Sequence, residues 1–177
     1  MMKDNLVVGG LAFLLVFSTI SNAANADPIK VENQITKVST SQLSKEQILE
    51  KYKDAVSLNP HECKELLSAV GFEGKALRMA WAVAQKESNC RPKAWNNNRK
   101  TGDNSFGIFQ INMIGELGPA RLEKFNLDSN KDLLDPVTSA QIAFYMSNEG
   151  VDWSSWTHLD KERFKSFWLE YPSLKNK

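Results

Sequence analysis

Hydrophobic positions along the chain change rhythm near residue 44. Before it, residues 6–20 form one apolar run of 15 residues, too short to cross a bilayer comfortably. Ala24-Asn25-Ala26 then supplies a small-residue cleavage site ahead of Asp27. Residues 1–26 read as a secretory signal peptide. Lys3 is the only basic residue near the start and Asp4 offsets it, so an uncleaved anchor is the alternative. Residues 27–43 are polar, lack a helical stripe and read as a spacer. After that the apolar positions take up helical spacing.

Ser44 with Gln47 three residues on marks a helix start, as does Asn59-Pro60, with a stop expected at Gly71. The third helix is expected from residue 74 to 87 or 88. Leu77, Ala80, Trp81 and Ala84 follow i, i+3, i+4, i+7 and share one face. Glu87 lies three residues beyond Ala84 and four beyond Val83, so it continues the apolar face. Residues 92–112 are rich in turn formers, among them Asn96-Asn97-Asn98 and Gly102-Asp103-Asn104, and read as loop or a small β-hairpin. Pro119 opens a short helix and Asp135-Pro136 another, to about Met146, ended by Gly150. Asp160 caps a last helix in which Phe164, Phe167, Trp168 and Tyr171 form an aromatic stripe read as core packing. The fold class is α+β, mostly α, with a small β-hairpin.

At 177 residues, the chain holds one domain of ordinary size. A formal net charge of +1 gives no reason to expect nucleic-acid binding. Arg91, Lys93, Arg99 and Lys100 cluster after Glu87, either as a solvated loop or as an attraction for an anionic polymer. Two cysteines occur, Cys63 and Cys90. In an exported chain they suit one disulfide, worth about 3–4 kcal/mol on the chain-entropy estimate; two buried thiols are the alternative. His61 and His158 stand alone, so no metal site or cofactor is expected.

Glu87 carries the chemistry. An acid on the apolar side of a helix end loses solvation and meets the negative end of the helix dipole, which suits a protonated general acid. The alternative is a surface Glu paired with Lys86 or Arg91. The segment 105–112 then brings Ser105, Gln110 and Asn112 together with Phe106 and other apolar residues. Gly107 there lets backbone approach a ligand closely. The alternative is an ordinary hairpin with one core face.

Glu87-Ser88 at a helix end, followed by Ser105-x-Gly107-x-x-Gln110, resembles the lysozyme-like superfamily, in particular the soluble lytic transglycosylase type. The run at residues 107–112 is also similar to the hairpin of animal lysozymes. Residues 114–156, with Asp135-Pro136 and Asp152-Trp153-Ser154-Ser155-Trp156, are similar to phage cell-wall hydrolases. The resemblance spans about residues 66–156, in a lysozyme-like catalytic domain at 44–177.

It implies cleavage of the β-1,4 bond between N-acetylmuramic acid and N-acetylglucosamine in peptidoglycan glycan strands. Glu87 would protonate the leaving oxygen, then take the C6 hydroxyl proton as a 1,6-anhydro ring closes. Ser88, Ser105 and Gln110 would orient acid and sugar, with Phe106 and Asn112 in the same substrate-facing segment. By analogy Trp153 would pack on Glu87; the alternative is core packing. Tyr145 would hydrogen-bond Glu87, although the family's Ala-Tyr-Asn motif is missing. Trp95 is either a stacking platform for sugar or a loop anchor.

Animal lysozymes place an Asp two residues before the hairpin glycine. Ser105 stands there instead, which favours the lyase over a muramidase that needs a second carboxylate. Asp103 keeps the hydrolase open. Two other classes fit the same residues: a non-catalytic glycan-binding module, and a component of secretion or pilus machinery. In every case the protein is expected to be periplasmic or secreted, and to meet a membrane only through its signal peptide.

Overall fold

Three helices hold the acid-bearing segment in place, and each begins or ends where the sequence changes character. The structure, a computed structural model, describes residues 42–98, 100–156 and 161–172. These lie in one unit, Ser41–Lys177. The signal-peptide and spacer readings up to residue 41, Arg99, His158, the Asp160 cap and the Phe164 side chain lie outside the described residues.

Helix α1 (Lys45–Tyr52) starts on a reciprocal cap, Ser44 accepting the Gln47 amide and Gln47 accepting the Ser44 amide. Helix α2 (Pro60–Val70) repeats the device with Asn59 and Glu62, and Pro60 occupies its first turn. It ends at Gly71, whose φ of 128° only glycine adopts readily. Helix α3 (Gly74–Ser88) has no side-chain N-cap and stops when Asn89 and Cys90 turn left-handed.

The loop after α3 forms a three-stranded antiparallel sheet where a hairpin was expected. Strands β1 (Trp95–Asn96), β2 (Ser105–Phe106) and β3 (Ile111–Asn112) pair Trp95 with Phe106, Asn96 with Ser105, Ser105 with Asn112 and Phe106 with Ile111. Helix α4 (Leu117–Phe125) begins two residues ahead of Pro119. A 3-10 turn at Asn130–Leu134 precedes α5 (Pro136–Met146), whose cap is the Asp135 carboxylate on the Thr138 amide. A second 3-10 turn (Ser154–Trp156) and α6 (Lys161–Glu170) follow.

The core forms around α3. Leu77, Ala80, Trp81 and Ala84 are all buried, as their spacing predicts, and Ala82 and Val83 are buried too. Helices α2 and α6 pack against α3, where Ala80, Ala82 and Ala84 keep the surface low. Leu66, Leu67, Phe72, Ile108 and Phe109 fill the centre with no exposed surface. Each such side chain contributes up to about 1.5–3 kcal/mol by leaving water. Phe167 and Tyr171 pack against this core, Tyr171 edge-on to Trp81. Trp168 instead lies under the Arg78 guanidinium, which also bonds its carbonyl. Cys63 and Cys90 form a fully buried disulfide that joins α2 to the chain just beyond α3. Among the described residues no helix is long and apolar enough to cross a membrane.

Candidate active site

The end of α3 faces the sheet across a cleft of about 340 Å³. Glu87 and Lys86 enter it from the helix. Asp103, Ser105, Gln110 and Asn112 line it from the sheet and its loops, Arg121 from α4, and Ser155 and Trp156 from the second 3-10 turn. Glu87 is 20% exposed and pairs with Lys86 at 3.1 Å. The ion pair with Lys86 therefore forms, and it forms inside the cleft. Glu87 sits in the last turn of α3, where unpaired carbonyls make the local potential negative. The Lys86 ammonium offsets that potential.

Ser88 points away from the cleft. It is 3% exposed, donates to the Ile108 carbonyl at 2.8 Å and accepts the Arg91 amide at 3.1 Å. The Glu-Ser pair thus divides its work: the acid faces the cavity, and the hydroxyl fastens the helix end to the β2–β3 turn. Gly107 makes that turn fit. Its φ is 75°, and a Cβ there would stand 2.1 Å from the Leu133 carbonyl oxygen. Beside it Gln110 holds a left-handed φ of 47°. The Gln110 amide nitrogen donates to the carbonyls of Gly107 (2.9 Å) and Ala94 (3.3 Å).

Asn112 lines the cleft, but its amide is already engaged. The side-chain oxygen accepts the backbone amides of Asn104 and Ile114, and the nitrogen reaches the Gly102 carbonyl. Those bonds fold the loop that carries Asp103. The Asp103 carboxylate accepts the Thr101 hydroxyl at 2.6 Å and lines the cleft with Glu87. Ser105, on the central strand, is 5% exposed and lines the same cleft.

Besides Ser88, three more expected site residues lie outside the cleft. Phe106 is buried beneath Trp95, with ring centroids 5.8 Å apart. Trp153 stacks on Phe72 and Phe109 and donates its indole N–H to the Gly150 carbonyl. Its partner Trp156 takes the place on the cleft wall, anchored by an indole bond to the Phe109 carbonyl at 2.9 Å. Tyr145 is exposed on the outer side of α5, edge-on to Phe125 and under the Lys124 ammonium.

Arg121 escaped the sequence reading. Helical spacing carries the signal, since Leu122 and Phe125 pack on the core and Arg121 precedes Phe125 by one turn. Its guanidinium donates to the Asn112 carbonyl. Burial holds its pKa below the ordinary guanidinium value, yet it remains a cation at neutral pH. Lys86 and Arg121 therefore put two positive groups on a cleft that also holds two carboxylates. Among the described residues no cluster of His, Cys, Asp and Glu could hold a metal ion.

The domain is mostly helical, and its central helix ends in an acid that faces a small sheet across a polar cleft. The profile of the lysozyme-like domain family matches residues 64–158, more than half of the chain, and the protein belongs to that family. The matched segment runs from α2 to just past Trp156 and contains every residue placed in the cleft. Membership points to action on the glycan of peptidoglycan. Comparison with curated proteins and with solved structures finds no significant match.

Proposed function

We propose that the protein is a peptidoglycan lytic transglycosylase and that Glu87 serves alternately as acid and base. In the first step the Glu87 carboxyl gives its proton to the glycosidic oxygen, and the bond from that oxygen to the muramic C1 breaks. The resulting carboxylate is stabilised by Lys86, 3.1 Å away. In the second step the carboxylate takes the proton of the muramic C6 hydroxyl while its oxygen bonds to C1. The 1,6-anhydro ring closes, Glu87 is protonated again and no water is consumed. With its amide nitrogen bonded to backbone, Gln110 retains its carbonyl oxygen for the sugar.

The observation that carries this reading is Ser105, a neutral hydroxyl on the central strand in a cleft that contains Glu87. A retaining hydrolase needs a carboxylate as nucleophile on that side of the bond. Asp103, on the rim of the same cleft, supports the second reading, a muramidase with Asp103 activating water. Mass spectrometry of muropeptides released from purified peptidoglycan separates them. The lyase leaves anhydromuramic ends, one water lighter than reducing ends. A product mixture of reducing ends alone overturns it and transfers the second role to Asp103. The substrate and the buried disulfide both favour an extracytoplasmic location, secreted or periplasmic. A secretion or pilus machinery would use the same cleavage to open the wall locally.

A further inference from the structure

Among the charged side chains that line the cleft, Arg121 is the one without a counterpart. Lys86 and Glu87 hold each other, and the Asp103 carboxylate accepts the Thr101 hydroxyl. Arg121 is half-buried and meets no carboxylate among the described residues. Its Nη1 donates to the Asn112 carbonyl. Nε and Nη2, the edge of a guanidinium that grips both oxygens of a carboxylate, find no acceptor among the described residues. A neutral amide could hold the Asn112 carbonyl without the cost of withdrawing a cation from water. Helix α4 carries Arg121 on a fixed element, since Leu122 and Phe125 beside it pack on the core, and this lowers the cost of ordering the fork for a ligand. Glu87 must be protonated to act as an acid. In that state Lys86 and Arg121 leave the cleft positive, with Asp103 as its remaining carboxylate.

We infer that Arg121 selects an anionic substrate by pairing its Nε–Nη2 edge with a carboxylate carried on the muramic acid unit. That carboxylate has two possible sources. One is the lactyl group of the sugar where no peptide is attached, and the other is the stem peptide where one is. Both offer the same planar anion to the same fork. A glycan of N-acetylglucosamine alone carries neither and leaves the guanidinium uncompensated. Discrimination thus comes from a group outside the sugar ring, and from the cost of leaving a desolvated cation unpaired as much as from the new bond. The inference rests on the cleft being a glycan site, but not on which reaction occurs there.

The test measures binding by calorimetry in the full chain carrying Glu87→Gln, a neutral stand-in for the protonated acid that consumes no ligand. The probes are tetrasaccharides of alternating N-acetylglucosamine and N-acetylmuramic acid, in two pairs. The first pair has no peptide, with the lactyl groups as free acids or as methylamides. The second carries stem peptides whose carboxyls are free or amidated. In at least one pair the free acid should bind roughly tenfold more tightly than its amide, and the advantage should shrink at higher salt. The pair that shows it names the source. Arg121→Gln should abolish the advantage and leave the amides within about twofold of their parent affinity. Arg121→Lys should restore part of it, as a charge without the fork. Equal binding of acid and amide in both pairs overturns the inference, and that comparison needs no substitution at Arg121. An advantage that survives Arg121→Gln overturns it as well. So does an equal loss for every probe, which would make Arg121 only a strut for the Asn112 carbonyl. If the parent chain binds none of the probes, the glycan reading falls and the inference falls with it.

Discussion

The helical wall of the cleft and its sheet wall are built by different forces. The α3 wall is apolar burial: Ala80, Val83 and Ala84 have no exposed surface, and a buried disulfide ties the chain just beyond the helix to α2. The sheet wall has strands of two residues each, too short to stand by themselves. It is held by side chains bonding to backbone, as Asn112, Asn98 and Gln110 do. Glu87, the proposed acid, is on the packed element. Asp103, Ser105, Gln110 and Asn112, which line the cleft opposite it, are on the polar one, where position depends on a few directional bonds. Ser88 and Gly107 are where the walls join.

Removing the acid without disturbing either wall should have the largest effect. Glu87→Gln keeps shape and size, so peptidoglycan clearing should fall about 10²–10⁴-fold. The thermal midpoint should move by less than ~3 °C. Failure of both the wild type and the variant to clear turbidity would instead make the protein a binding module. Gly107→Ala attacks the join. The new methyl meets the Leu133 carbonyl at 2.1 Å in a left-handed backbone, so about 4 kcal/mol or more of stability should be lost in chemical denaturation. A loss confined to the sheet, seen as fast amide exchange at 105–112 with α3 still protected, would show the walls to be independent.

Reduction of the disulfide loosens the helical wall alone. With a sequence separation of 27 residues, opening Cys63–Cys90 should cost about 3–4 kcal/mol, read as a lower midpoint in reductant. Activity measured well below that midpoint should survive if packing of α3 is sufficient. The smallest effect tests a contact remote from both walls. Burial alone would raise the Glu65 pKa, but the Tyr52 hydroxyl and the Lys51 ammonium together outweigh it and hold the carboxyl below its ordinary value. A carboxyl lowered in the folded state contributes stability above its unfolded pKa and loses it as pH falls through the folded one. Unfolding titrations should therefore show a decline below about pH 4 that Glu65→Gln removes. Glu65 is 37% exposed and Lys51 44%, so solvent screening keeps the amount well under about 1 kcal/mol.

What the sequence reveals in advance is whatever acts within one turn of chain. The caps at Ser44, Asn59 and Asp135 each bond to a residue two or three positions on, so they can be read directly. The α3 face follows from spacing, and Glu87 follows from that face. The rest of the site depends on distant partners. Ser88 needs Ile108, twenty residues away, and its motif alone does not show that it points inward. Strand β1 has only two residues and no alternating pattern to announce it. The Trp153-x-x-Trp156 pair contains the wall residue, but which ring faces the cleft depends on the 3-10 turn between them. Tyr145 lies within α5, and its distance from the acid is settled by how α5 packs rather than by sequence neighbours. Arg121 had a local signal in its spacing from Phe125, which the expectation of a helix start at Pro119 obscured.

The inward hydroxyl of Ser88 has a consequence for how variants of this protein are scored. A screen for lost clearing would rank Ser88 beside Glu87, although the two fail for different reasons. On the proposed mechanism, a chain without the Glu87 carboxyl is intact and idle. Without the Ser88 hydroxyl the Ile108 carbonyl loses this donor, at about 1–3 kcal/mol, and fewer molecules stay folded. Turnover per folded molecule, set against the amount of protein recovered, tells the two defects apart.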